Sequence, residues 1–302
     1  MSGGVARRGV RWGGRQRFVL FSLLPVFLLL AVFVVLPIVF SVVVSLFNYN
    51  PLSHGPPFVG LQNYRNLFSD GVFLRSISNT FLFVAVSVAA NLLLATLVAL
   101  AIDLVPRQGP KGLFRTVFFL PTTANIAAIA IVWGYMLNPR FGIVAGLFSI
   151  LGVNLQLNWL GDQKLVMASI VTLNLWQDIG YNIIIVLAGL ESIPRMFYES
   201  ALVEGANRVR VFFGITLPLL ARTMLFVSVM TIISYFQVFT PVMVLTRGGP
   251  NHASELLGVS IYLNAFQFSR LGYASGMAVI LMVLLLVLSL AQMKLFKPKW
   301  DY

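Results

Sequence analysis

Hydrophobic residues run along this chain in six long blocks, roughly 18–46, 79–105, 116–137, 165–190, 219–245 and 273–296. A helix of about 20 apolar residues crosses a bilayer. Each block reaches that length, and none shows the two-residue alternation of a barrel strand. The pattern predicts an all-α membrane protein of six transmembrane helices. The segments between blocks differ in kind. Residues 47–78 carry Pro51, Gly55, Pro56, Pro57 and Gly60, which break regular structure. Residues 138–164 hold the apolar piece FGIVAGLFSILG, too short to span and read as an interfacial or re-entrant helix. Trp159, with Trp133 and Trp300 near block ends, fits the aromatic belts of membrane surfaces.

Composition agrees with the pattern. The 302 residues are 59% hydrophobic and 10% charged, whereas soluble domains carry about 25% charged residues. Cysteine is absent, which excludes disulfides, thiolate metal sites and cysteine nucleophiles. The two histidines, His54 and His252, fall in separate loops and offer little to a metal.

A net charge of +12 could suit nucleic acid. Its distribution argues for a membrane instead. With the N-terminus inside, the inner segments hold fifteen of the 21 basic residues. These are Arg7, Arg8, Arg11, Arg15 and Arg17, then Arg107, Lys111 and Arg115, then Arg195, Arg208, Arg210 and Arg222, and finally Lys294, Lys297 and Lys299. The outer segments hold Arg65, Arg75, Arg140, Lys164, Arg247 and Arg270. Positive charge stays on the cytoplasmic side, so both termini are expected there. The arginine-rich start resembles a signal peptide, with a twin-arginine hint at Arg7-Arg8. However, the apolar run far exceeds the usual signal core of about 7–15 residues and no cleavage site follows, so the first helix is read as retained. The expected organisation is a basic cytoplasmic tail at 1–17, a six-helix membrane domain at 18–297 and a cytoplasmic tail at 298–302.

Within that domain the inner loop at 191–218 is unusually patterned. Tyr198, Ala201, Leu202, Gly205, Val209, Phe212 and Phe213 share one face at helical spacing, while Glu199, Asn207, Arg208 and Arg210 lie largely off it. Glu204 and Arg208 are spaced for an i,i+4 pair. Gly205 costs about 1 kcal/mol inside a helix, so it marks a break between two short helices or a close backbone approach. Pro194 and Pro218 bracket the segment, because proline disfavours a helix running through it. An amphipathic helix on lipid headgroups and a helix docked in a protein groove both satisfy this pattern.

The blocks also contain costly polar groups. Span four carries Asn174, Trp176, Gln177, Asp178, Tyr181 and Asn182; span five carries Ser234, Tyr235 and Gln237; span three carries Thr122, Thr123 and Asn125. Such groups face a bundle interior, as packing contacts between helices or as the lining of a path. Rings and amide or carboxylate acceptors suit sugar hydroxyls, and the set on spans four and five favours a path. Asp178 alternatively suits the ion site of a secondary transporter, but no inverted repeat accompanies it. A membrane enzyme lacks its His, Cys or acidic cluster.

Three motifs then carry a family resemblance. Glu199-Ser200-Ala201, Glu204-Gly205-Ala206 and Ile215-Thr216-Leu217-Pro218 resemble the EAA loop of permease subunits of binding-protein-dependent ABC importers, with Ser200 and Glu204 departing from Ala and Asp. Phe58-Val59-Gly60-Leu61-Gln62-Asn63-Tyr64 and Val244-Leu245-Thr246-Arg247-Gly248-Gly249-Pro250 resemble motifs of the maltose/glycerol-3-phosphate-type sugar branch. The resemblance extends over nearly the whole chain. It implies the type I importer permease fold in a prokaryotic plasma (inner) membrane, and carbohydrate import. It also implies a second six-helix permease, a cytoplasmic ATPase dimer and an extracytoplasmic solute-binding protein as partners. Glu199, Ser200, Ala201, Glu204, Gly205, Ala206, Arg208, Leu217 and Pro218 become the ATPase-coupling residues. The candidate path comprises Asn125, Asn174, Trp176, Gln177, Asp178, Tyr181, Asn182, Tyr235 and Gln237. The chain has no G-x-x-x-x-G-K phosphate loop, the nearest string being GPKG at 109–112. ATP and Mg are therefore expected on the separate ATPase, with no cofactor or metal in this chain. Disaccharides, oligosaccharides and glycerol phosphates all stay open as substrates.

Overall fold

The computed structural model describes residues 14–52, 55–106, 108–150 and 157–295. The N-terminal tail before residue 14, the tail at 298–302, and His54, Arg107, Lys297, Lys299 and Trp300 lie outside the described residues. In chain order, α1 (Gly14–Leu30) passes through a π turn at Ala31–Val35 into α2 (Leu36–Val44). There follow α3 (Gln62–Ser69), α4 (Gly71–Asp103), α5 (Gln108–Thr123), α6 (Ile126–Met136), α7 (Ile143–Ile150) and α8 (Val166–Glu191). Two short helices, α9 (Arg195–Val203) and α10 (Arg208–Val211), lead through a π turn at Phe212–Thr216 into α11 (Leu217–Phe236). The chain closes with α12 (Thr240–Leu245), α13 (Leu257–Tyr262), a π turn at Leu263–Gln267 and α14 (Leu271–Leu295).

Among the described residues, five helices are long and apolar enough to cross a membrane, and six if one bent pair counts as a span. The six blocks are all present, with corrections. α4 starts before the apolar block, because Asp70 caps it. The Asp70 carboxylate accepts the Val72 N–H at 2.8 Å and the Tyr273 hydroxyl at 2.7 Å. Burial alone would raise its pKa, but these hydrogen bonds hold the carboxyl below the usual range. Span three is not one helix: α5 and α6 meet at 93°. Span five ends at Phe236, and its last part is the separate α12. The apolar piece after span three forms α7 as far as residue 150, with Phe141, Ile143 and Leu147 exposed.

Pro218 was expected to end the inner segment, yet helix runs on from Arg208 to Phe236. A proline leaves the carbonyl one turn back without a donor and crowds it. The π turn before it widens that turn. Leu217 N–H reaches back to Phe212 O, just as Leu36 N–H reaches Ala31 O ahead of Pro37.

α4 and α8 form the central seam, with α5 and α11 packed beside them. Ala95 and Ala99 of α4 sit in one buried cluster with Ile183, Val186 and Leu187 of α8 and Leu220 and Val227 of α11. Lipid supplies no hydrophobic drive between helices, so small residues that allow close approach hold the bundle. α1 and α2 are the opposite case: Phe21, Phe27 and Phe40 along them, and Phe33 in the π turn between them, are all exposed.

One polar chain crosses the seam. Asn182 Nδ2 donates to Asn91 Oδ1 at 2.7 Å and to Thr231 Oγ1 at 3.0 Å, and Asn91 Nδ2 donates to the Tyr235 hydroxyl at 2.7 Å. It ties α4, α8 and α11 together. Replacing Asn182 with leucine removes both donations and leaves buried acceptors bare. It should cost about 1–3 kcal/mol, read as a lower unfolding midpoint of the solubilised protein in SDS. An unchanged midpoint contradicts this.

At the end of the bundle away from α9, the two sugar-branch motifs act as fasteners. Asn63 Nδ2 donates to Ser45 O at 2.8 Å and Phe47 O at 2.9 Å, and Tyr64 OH meets Ser45 Oγ at 2.7 Å. Arg247 and Gly248 turn with positive φ, and Thr246 Oγ1 meets Ser254 Oγ at 2.8 Å. Asn79 Nδ2 holds the resulting loop through His252 O at 2.8 Å and Glu255 O at 3.1 Å.

Candidate functional site: a polar cavity and a helical turn segment

The cavity forms where α5, α8 and α11 meet. Thr122, Asp178, Tyr181, Asn182, Met230, Thr231, Ser234 and Tyr235 line about 210 Å³. The Asp178 carboxylate accepts from Asn174 Nδ2 at 3.2 Å. Thr122 is fixed by donating to Gln177 O at 2.7 Å, across the seam between α5 and α8. Four candidate path residues, Asp178, Tyr181 and Asn182 from α8 and Tyr235 from α11, therefore line one cavity, and Asn174 supports it.

The others divide differently. Asn125 and Trp176 line a second, largely apolar hollow of about 380 Å³, with Trp133 at 5.8 Å ring-centroid distance from Trp176. Trp133 is half-buried, and its ring meets that of the exposed Trp176 at a tilt of 49°. Asn125 caps α6, accepting the Ala127 N–H at 2.9 Å. The buried Gln177 extends an amide to Ala124 O at 3.4 Å, bracing the α5–α6 bend. Gln237 sits at the C-terminus of α11, exposed and outside either hollow. Sequence reasoning missed Asn91, which is fully buried. A lone asparagine inside an apolar span was the available signal.

The turn segment lies at one end of the same helices. α9 closes with a Schellman turn: Ala206 N–H bonds Ala201 O at 3.0 Å and Gly205 N–H bonds Leu202 O at 3.1 Å. Gly205 adopts φ +74°, the left-handed conformation this turn needs. Asn207 then caps α10, its Oδ1 accepting Arg210 N–H at 2.8 Å. The break at Gly205 is as read from the sequence, but the single apolar face is not. Ala201 points inward and is buried, while Leu202, Val203 and Val209 are exposed. Glu204 ends one helix and Arg208 starts the next, so they are not an i,i+4 pair. Glu199, Ser200, Glu204, Arg208 and Pro218 are exposed, Ala206 is half-buried, and Leu217 is partly covered. Thr216 Oγ1 donates to Tyr198 OH at 3.3 Å, strapping α9 to the entrance of α11. At the base, Glu191 ends α8 and pairs with Arg115 and, at 3.6 Å, with Lys111, which also meets Asp103 at 3.0 Å.

A lipid-facing bundle with a polar hollow and an exposed helical appendage has the architecture of a membrane transport subunit. No family model matches the chain. Among curated relatives, the probable ABC transporter permease protein YurN of Bacillus subtilis is 36% identical over 273 residues, covering 89% of this chain and 93% of that protein. The trehalose/maltose transport system permease protein MalF of Thermococcus litoralis is 34% identical over 268 residues, covering 88% of each. A solved bacterial alginate ABC transporter, in complex with an alginate pentasaccharide-bound periplasmic protein, matches the fold with TM-score 0.82 and 24% identity, over 92% of this chain and 93% of that one. The chain belongs to the ABC transporter permease proteins. It is a multi-pass membrane transport subunit and not an enzyme, and the ATPase of such a transporter is a separate chain. The ion-coupled alternative through Asp178 gains no support from these relatives.

Proposed function

We propose that this chain is a transmembrane subunit of an ATP-driven carbohydrate importer in a prokaryotic inner membrane. It forms half of the translocation path and takes its energy through residues 191–218. One observation carries the reading. α8 brings Asp178 and Asn182 to the cavity and runs directly to α9, while α11 brings Thr231, Ser234 and Tyr235 to the same cavity and is continuous with α10. A push on the turn segment therefore acts on both cavity walls. The exposed Leu202, Val203 and Val209, rimmed by Glu199, Glu204, Arg208 and Arg210, suit a groove on a cytoplasmic ATPase dimer, where ATP and Mg bind. Trp176 and Tyr181 are exposed beside the cavity and suit a second six-helix permease that closes the path. Relatives named for trehalose, maltose and other sugars support a saccharide substrate. The complex of the structural relative with its periplasmic protein supports a solute-binding partner.

The test is copurification and uptake with a partner permease, the ATPase and the solute-binding protein. Glu199→Lys, exposed and clear of the core, should lower ATPase capture and labelled-sugar uptake together by about tenfold, since charge reversal at an interface works against association. Full uptake and full capture with this substitution overturn the docking assignment.

A further inference from the structure

We propose that the cavity passes uncharged saccharide units and rejects anionic ones, and that Asp178 sets this preference. The inference rests on the reading that the cavity lies on the substrate path. Among the described residues, Asp178 is the single carboxylate of the wall, and no cation lines it. The deficit extends well beyond the wall itself. No Lys, Arg or His occurs in 116–139, 165–194 or 223–246, the stretches of spans three, four and five that surround it.

The carboxylate is also incompletely used. Asn174 donates to Oδ2 at 3.2 Å, and among the described residues none donates to Oδ1. A free carboxylate oxygen has strong acceptor capacity for a hydroxyl. Thr231, Ser234 and Tyr235 add hydroxyls and Asn182 an amide oxygen around it, while Tyr181 offers an exposed ring against which a pyranose can lie. A neutral polyol therefore meets acceptors, donors and a flat face. A uronate or phosphate meets a second negative charge, with no cationic side chain in this wall to neutralise it. At an effective dielectric near 20 and about 5 Å separation that repulsion is worth roughly a hundredfold in binding, and at least about tenfold after screening. The alginate transporter whose fold this chain shares is described as importing an acidic polysaccharide, so the backbone alone does not dictate the sign of the cargo.

The experiment is saturation-transfer NMR on the assembled transporter in nanodiscs, with two matched probe pairs. These are methyl α-glucopyranoside against methyl α-glucuronoside, and glycerol against glycerol 3-phosphate. The neutral member of each pair should bind at least about tenfold more tightly, and Asp178→Asn should shrink the ratio to within about threefold. Equal binding of both members to the unsubstituted protein overturns the proposal. So does an unchanged ratio in an Asp178→Asn complex that assembles normally by gel filtration. Should that variant not assemble, Ser234→Lys places a cation in the same wall and must raise binding of the anionic members. If no probe of either charge binds, the path assignment itself fails, which is a different result from lost discrimination.

Discussion

Replacing Gly205 with valine should cut coupled transport by about 5- to 30-fold while leaving the membrane bundle folded. The reason is conformational. Gly205 holds φ +74°, and a Cβ built there meets nothing within 4 Å. No clash is therefore created, and the penalty lies in the backbone. An L-residue in the left-handed region costs roughly 1–2 kcal/mol, more for a β-branched side chain. That corresponds to a factor of roughly 5–30 in the population of the correctly turned segment. The strain is relieved most easily by melting the last turn of α9, which carries the exposed Leu202 and Val203. Asparagine tolerates the left-handed region better than other residues with a Cβ. Uptake should therefore rank glycine and asparagine first, alanine next and valine last, with ATP hydrolysis no longer stimulated by substrate in the valine variant. A valine variant with full uptake would show that the turn is not part of the coupling route.

Gly180→Ala produces the largest loss of folded protein. Here the cause is the reverse, steric with no strain. A Cβ at Gly180 lies 1.9 Å from Phe118 O and 2.9 Å from the Phe119 Cα, both backbone atoms of α5. A side chain could swing aside, but a neighbouring helix backbone cannot. Overpacking of this kind costs about 1–3 kcal/mol and more where nothing yields. Separating α5 from α8 also pulls Thr122 away from Gln177 O and opens the cavity wall. Membrane yield and the thermal unfolding midpoint measure it, with Gly146→Ala as the control, since a Cβ there meets nothing within 4 Å. Equal yields and midpoints for the two variants would remove Gly180 from the seam.

Much of this was legible before the fold was known. Six apolar blocks gave the architecture, and the spacing from Glu199 through Gly205 to Pro218 marked the turn segment. Gly205 was readable because a glycine inside a helix costs about 1 kcal/mol and so marks a break. Gly180 was not, since a glycine in a span signals close approach without naming the neighbour. The bend before Asn125 was missed because both halves of span three are apolar, and a one-dimensional hydropathy pattern carries no angle. Asn182 and Tyr235 were singled out as path residues, yet each is also committed to a buried hydrogen bond that packs three helices. Packing and path are not alternatives at such positions, because a cavity wall must itself be held. The uniform face assigned to 198–213 failed for a different reason. Periodicity assumes one continuous helix, and this stretch contains a turn at Gly205 and an irregular one at 212–216.

That second irregularity is an angular device. A regular helix advances about 100° per residue. The additional residue accommodated at Phe212–Thr216 therefore offsets the phase of α10 from that of α11. Deleting one residue there would restore even winding, leave the cavity wall untouched and swing α9 and α10 about a quarter turn around the axis of α11. The extra residue thus works as an indexing notch. It sets the compass bearing of α9 and α10 around the axis of α11, independently of the bearing of the cavity residues on α11.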